Sequence, residues 1–422
     1  MTTRSAKLPK RPFLRESEVI KYLFGQFWSL AGTYLQSSSL GLMIIYLLGK
    51  ENGVAVCGDV IAFGYLPGFF LSGIAGIWLD TMDKRKVLMW TSSLGALQAI
   101  TLAYCARGNL RFITVPEIKI LAIVGGFILA VDSVNRNGII RSLLFDRHNA
   151  QKAGAILGSL YNFSMILGGG MAALSIHYLG YSGTYIVNAC GFIVLFIIMA
   201  IVKLPSATTP QSVSTVKLML TMWSRIKDGA KYTFGEPGLR IAIILTGLFC
   251  LFGYSYNAIL RVIVEEMFKG GNELYSTFMK CTGLGALLGS ALVIFLGSKC
   301  PKTLIVTGGL CMGGGLVAFG HSTNIHAGMA IMFVVGYGFM SCIMTTRSAV
   351  GHIASIEYAA RAQGFALMIF LGAVGMGSSA LGHFAKHFGC PLTLEICGSI
   401  VIVLCIITPL LPGINEITHY KK

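Results

Sequence analysis

The chain has 422 residues, 55% of them hydrophobic and only 12% charged, with a formal net charge of +16. A soluble globular protein carries about 25% charged residues, so too little polar surface is left here to coat a water-soluble particle. The cations lie in short segments between apolar runs, with no basic arm, zinc spacing or basic helix; this excludes nucleic acid as a partner and fits a Lys/Arg bias toward one membrane face.

The first two dozen residues are basic and polar and lack a short apolar stretch followed by a small-residue cleavage site. They read as a retained cytoplasmic tail. Apolar runs long enough to cross a bilayer follow. In the first half they cover about 22–48, 56–79, 87–105, 119–143, 153–179 and 182–204. In the second half they cover about 239–263, 273–297, 303–321, 326–350, 362–385 and 391–412. Between the halves, a segment rich in Ser, Thr and Pro leads into "LMLTMWSRIKDGAKYTF", where apolar and charged residues alternate at helical spacing. That pattern predicts an amphipathic helix on a membrane face. The domains are therefore a six-helix bundle over 1–204, a linker over 205–237 and a second six-helix bundle over 238–422. Two such halves are a common transporter plan. With the N-terminus inside, about 24 Lys and Arg fall in the inner segments and about seven in the outer loops. This predicts both termini in the cytoplasm.

Glycine is abundant, with 52 residues, and recurs inside the spans, where small residues let helix backbones approach in lipid. The eleven cysteines sit mostly inside apolar runs and form no C-x-x-C pattern. They read as small packing residues and not as metal ligands.

Charges within the spans are costly in hydrocarbon and mark cavities or paired partners. Asp132 and Arg136 stand four apart in span four, on one helical face with Asn135 beside them. They are read either as cavity-lining groups or as a structural ion pair. Lys280 lies in the outer third of span eight, Arg261 at the outer end of span seven, and Asp59 toward the outer end of span two. Arg347 and Glu357 flank the inner end of span ten, a place suited to topology or gating. No G-x-x-x-x-G-K-[ST] loop is present to bind a nucleotide. No H-E-x-x-H, nucleophile elbow or paired-carboxylate motif suggests an enzyme.

The stretch Gly76-Ile77-Trp78-Leu79-Asp80-Thr81-Met82-Asp83-Lys84-Arg85-Lys86-Val87-Leu88 falls between spans two and three. It resembles the signature loop of the major facilitator superfamily, usually written G-x-L-x-D-R-x-G-R-R-x-x-L. Gly76, Asp80, Lys84, Arg85 and Leu88 match; Thr81 and Asp83 depart from it. Longer stretches, such as "LFGQFWSLAGTYLQSSSLGLMIIYLLG" and "SRIKDGAKYTFGEPGLR", resemble the branch of siderophore exporters and macrolide efflux proteins. The resemblance implies an all-α fold of twelve membrane helices in two pseudo-symmetric bundles. It implies a cavity lined by the first and fourth spans of each half, which adds Thr33 and Gln36, and Tyr254 and Asn257 as their counterparts. It also implies that Asp80 latches the halves against the N-terminus of span eleven, with Lys84, Arg85 and Lys86 near Asp146 or lipid phosphates.

Together these readings predict a secondary transporter of an inner membrane, driven by protons and without a cofactor or metal. Its expected action is to export a small organic solute, siderophore-like, anionic or drug-like, as a monomer among membrane lipids. An importing permease or a lysolipid flippase is the alternative within the fold. A non-transporting receptor or a membrane enzyme is the alternative outside it.

Overall fold

The computed structural model describes residues 16–79, 82–107, 114–143, 149–202, 227–297, 299–355 and 358–418, and among them no strand occurs. In hydrocarbon no water is available to backbone amides and carbonyls, so each apolar segment satisfies its own as a helix. Ten helical stretches among the described residues are long and apolar enough to cross a membrane.

The first half begins with α1 (Glu16–Leu79), which Gly49 divides into two arms. The arms are antiparallel: Cys57 lies against the carbonyl of Gly41, and Gly53 lies against Ile45. Then come α2 (Lys84–Cys105), α3 (Val115–Leu143), α4 (Asn149–Gly170) and α5 (Ala172–Ile201). Helix α4 runs on into α5, because Ser175 N still donates to Met171 O. The chain reverses inside α5, at Gly180. Helix α6, residues 227–235, leads into the second half. There α7 (Pro237–Leu248) passes into a π-helical turn, Phe249–Tyr254, and a 3-10 turn, Ser255–Ala258, before α8 (Leu260–Glu266). Helices α9 (Asn272–Leu296), α10 (Pro301–His321), α11 (Ile325–Ile353), α12 (Ala359–Phe388), α13 (Cys390–Ile407) and α14 (Ile414–Thr418) complete it.

Three reversals turn on a single glycine. Gly49, Gly180 and Gly389 have φ of 71°, 66° and 85°, a region that a Cβ disfavours. Two features differ from the sequence expectation. A loop was expected between residues 48 and 56, yet the second arm of α1 begins directly after Gly49. Span seven was expected as one helix over 239–263, yet its backbone changes pitch between Phe249 and Ala258.

Within the second half, α9 packs on α11, and α10 packs on α11 and α13. Gly313 and Gly398 let α10 and α13 touch backbone to backbone: a Cβ on Gly313 would lie 2.7 Å from Gly398 O. Within the first half, α1 packs on α3, α4 and α5. The halves meet along two seams, the second arm of α1 against α12 and α4 against α9. Helix α6 rides on the second half: Tyr232 stacks on Tyr358 at 4.3 Å, and Gly229 lies against Arg361. The eleven cysteines are all free, six of them buried.

Candidate functional site

The bundle has two ends. Gly49, Gly180 and Gly389 lie at one, here the glycine end; the start of α1 and helix α6 lie at the other, the linker end.

Between the ends, tyrosines from both halves converge. Tyr34 and Tyr65 of α1, Tyr161 of α4 and Tyr254 of the π-helical turn are half-buried. Tyr34 and Tyr65 lie within electrostatic reach of each other, of Tyr161 and of Tyr254. Tyr254 stacks on Phe339 of α11 at 4.5 Å, and Asn257 Nδ2 donates to Tyr254 O at 2.9 Å. The local change of pitch therefore aims the Tyr254 ring inward, as π-turns often do at functional places. Arg347 on α11 is half-buried and lies within reach of Tyr161 across the seam between halves. Among the described residues no carboxylate forms an ion pair with Arg347.

Asp132 and Arg136 form an ion pair on α3, each 3% exposed. Asp132 Oδ1, Arg136 Nε and Nη1, Asn135 Oδ1, Tyr22 Oη and both polar atoms of Gln26 are buried and have no geometric hydrogen-bond partner among the described residues. So many open valences cannot be supplied by one salt bridge; water or a polar ligand would satisfy them. Asn135 Nδ2 donates to Lys84 O at 2.8 Å, which sets this cluster level with the start of α2, toward the linker end and below mid-bundle. Arg136 and Arg347 occupy matching heights: seven residues before the end of α3 and six before the end of α11.

The other expected residues are placed as follows. Gln36 Oε1 accepts from Asn188 Nδ2 at 2.7 Å, and Gln36 Nε2 donates to Gln98 Oε1 at 3.3 Å. Gln98 in turn donates to Leu121 O at 3.2 Å. Gln36 thus ties α1, α2, α3 and α5 together. Thr33 returns its hydroxyl to Ser29 O at 2.8 Å. Lys280 is exposed on α9, its stem laid over Gly170 of α4. Arg261 pairs with Glu265.

In the signature loop, Gly76 lies in the second arm of α1, while Asp80 and Asp146 lie outside the described residues. Asp83, a departure from the usual pattern, caps α2: its carboxylate accepts from Arg85 N at 3.0 Å, replacing a missing helical partner. Lys84 contributes the carbonyl that Asn135 meets. Arg85 Nε donates to Met199 O at 2.7 Å, and its guanidinium also reaches Ala200 O. A cation there complements the C-terminal end of α5.

A cluster that the sequence reading did not assemble joins the halves near the glycine end. Asp59, on the second arm of α1, accepts from Lys119 Nζ of α3 at 3.0 Å and from Ser379 Oγ of α12 at 2.7 Å. His383 Nε2 of α12 stands 3.1 Å from the same carboxylate. Ser379 and His383 are four residues apart and share one helix face. The backbones touch here: a Cβ on Gly382 would lie 2.8 Å from Val54 O, and Gly58 would collide with Ser378 O if it carried one. The one available signal in the sequence was an acid in an apolar run, at Asp59.

The sequence profile of the transmembrane secretion effector family matches residues 18–418. An MFS-type transporter of Bacillus subtilis (strain 168), YfiS, is 25% identical over 372 residues, 84% of either chain. Macrolide efflux protein A of Streptococcus pyogenes is 22% identical over 409 residues, 94% of this chain and 97% of that one. The crystal structure of a D-xylose-proton symporter superposes with a TM-score of 0.75 at 15% identity, covering 96% of this chain and 99% of the other. At that identity the likeness concerns the fold. The chain belongs to the transmembrane secretion effector family of the major facilitator superfamily: it is a multi-pass membrane transporter and not an enzyme.

Proposed function

We propose that the protein is a proton-coupled exporter of a small anionic organic solute, siderophore-like or drug-like, in an inner membrane. It has twelve spans, with α3 and α4 completing the ten that length and hydropathy mark, and both termini are cytoplasmic. The glycine end then faces outward and the linker end inward. Efflux proteins among the relatives support the direction.

The observation that carries the substrate class is Arg347, a half-buried cation that, among the described residues, has no carboxylate ion-pair partner and lies within reach of Tyr161 of the opposite half. Arg136 stands at the matching height on α3, and two guanidiniums at one level of the bundle favour an anion. The tyrosine faces supply flat apolar area with a polar rim. Asp132 competes with the solute for Arg136; protonating Asp132 frees the guanidinium, and losing that proton favours ejection. Asp80 latches the linker end through the N-terminus of span eleven.

Small molecules secreted by cells with and without the protein identify the solute. With purified protein, Arg347→Ala and Arg136→Ala should each abolish anion binding. Retained affinity in both variants would remove the anionic reading. Labelling of Gln211 from outside intact cells would overturn the orientation. An importer or lysolipid flippase would instead accumulate its solute or move lysolipid in reconstituted vesicles.

A further inference from the structure

Asp59 is held by groups from two other helices, α3 and α12, and α12 belongs to the opposite half. Its carboxylate, Lys119 and His383 are 20%, 29% and 55% exposed at the side chain, although the backbones beside the cluster are in contact. Lys119 also lies over the Phe63 ring at 5.5 Å, which fixes it on the first half. His383 and Ser379 move with the second half. If the halves part at the glycine end, Asp59 keeps Lys119 and loses both partners on α12.

Among the described residues, His387 lies one turn along α12 from His383 and is exposed, and three other groups near the cluster have partners of their own. Lys386 of α12 donates to Asn52 at 3.1 Å, two helical turns toward the glycine end from Asp59. Glu117 of α3 accepts from Thr114 N at 2.6 Å. On α8, which also packs on α1, Arg261 is paired with Glu265. None of these neutralises His383 or competes with it for Asp59.

Imidazole is the side chain whose charge changes in the physiological range. With His383 neutral, its link to Asp59 is a hydrogen bond. With His383 protonated, it is an ion pair, and charge-assisted bonds are roughly twice as strong as neutral ones.

We propose that Asp59 and His383 form a proton-binding site at the outer seam, reached from outside, whose occupation closes that seam and returns the carrier to its inward-facing state. Nε2–H donates to the Asp59 carboxylate, and the proton adds to His383 Nδ1, which turns that hydrogen bond into an ion pair; opening the seam removes the carboxylate and releases the proton outward. External acid therefore holds the outer gate shut and speeds the resetting of an exporter after it has discharged its solute. This rests on the transporter reading above and on the glycine end facing out.

The gate can be read by distance, independently of any solute. Fluorophores are attached through non-canonical residues at Arg107 and Thr323, near the glycine end of opposite halves, in full-length protein in lipid nanodiscs. Between about pH 8 and about pH 6, where imidazole gains its proton, the close-approach population should rise at least about threefold. His383→Gln keeps a donor but cannot charge, and should abolish that response. Ser379→Ala should retain it. Asp59→Asn should favour the open seam at every pH. A wild-type distance that ignores pH, or a His383→Gln variant that responds like wild type, would overturn the proposal. If the pH response is present but purified protein moves no solute, the gate stands and the transporter reading fails. If transport proceeds and the pH response is missing, the reverse holds.

Discussion

Asp132 and Asp59 are both acids in apolar helices, and both have a cation within reach, yet they are built differently. Asp132 is paired with Arg136 four residues on, along its own helix. A rigid helix carries both partners together, so the pair cannot register how the halves sit. Asp59 is paired across three helices, and its partners Ser379 and His383 lie more than three hundred residues away. Every change of the seam changes that set. Burial separates them too: Asp132 is 3% exposed among orphaned polar atoms, whereas the Asp59 side chain is 20% exposed with its oxygens occupied. The first arrangement suits a group that trades partners with a solute. The second suits a group that reports conformation.

The comparison can be broken at four points. The largest effect is expected at Gly58, where α1 and α12 touch backbone to backbone. Gly58→Val inserts a branched side chain against Ser378 O. It should prevent closure of the outer seam and stop transport, while the protein still inserts in the membrane. Distance measurements across the glycine end check this; a seam that closes normally would show that the contact is dispensable.

Next comes Arg136→Ala, which leaves the Asp132 carboxylate buried alone. Breaking a buried pair from one side costs about 3 kcal/mol or more, read as a lowered unfolding temperature in detergent. Asp132→Asn removes the charge that needs a partner and should cost less. It should still bind the anion but lose its response to a proton gradient. If exchanging the two residues restores both expression and gradient-driven transport, the pair is structural and the solute role is wrong.

Asp59→Asn should fold with near-normal stability, since the site is partly exposed and exposed pairs contribute about 0–1 kcal/mol. The expected loss lies in the pH dependence of turnover. A normal pH profile with a shifted unfolding temperature would make the cluster a mere fastener. The smallest effect is expected from Lys386→Ala, which removes one exposed hydrogen bond to Asn52. Turnover should change less than about twofold, because such contacts contribute only tenths of a kcal/mol. A larger loss would extend the outer clasp toward the membrane surface.

Much of this molecule is written locally. Long apolar runs must become helices in lipid, because the backbone has no other partner there. The sparse charge, the run lengths and the polar segment between halves therefore led to a polytopic two-part chain. The signature loop led to the superfamily. The spacing of Asp132 and Arg136 led to their contact, because four residues along one helix is a local distance. Spans three, nine and ten fell close to where α2, α10 and α11 stand.

What the tertiary structure decided is whatever depends on which helix faces which. Gln36 was expected in a cavity by analogy, and only the packing of α1, α2 and α5 shows it occupied by Gln98 and Asn188. Arg85 was expected near Asp146, which lies outside the described residues, or near lipid phosphates; that it also meets Met199 O comes only from the approach of α2 to α5. The break at Phe249–Ala258 has no proline to announce it, and it follows from the packing around Tyr254 and Phe339. The Asp59 cluster is the clearest case. Its members are separated by 60, 320 and 324 positions, and no local pattern joins them. Hydropathy sets that a segment is a helix, which is a property of the segment alone. Which residues meet is set by the shape of two helix surfaces, and that is a property of the pair.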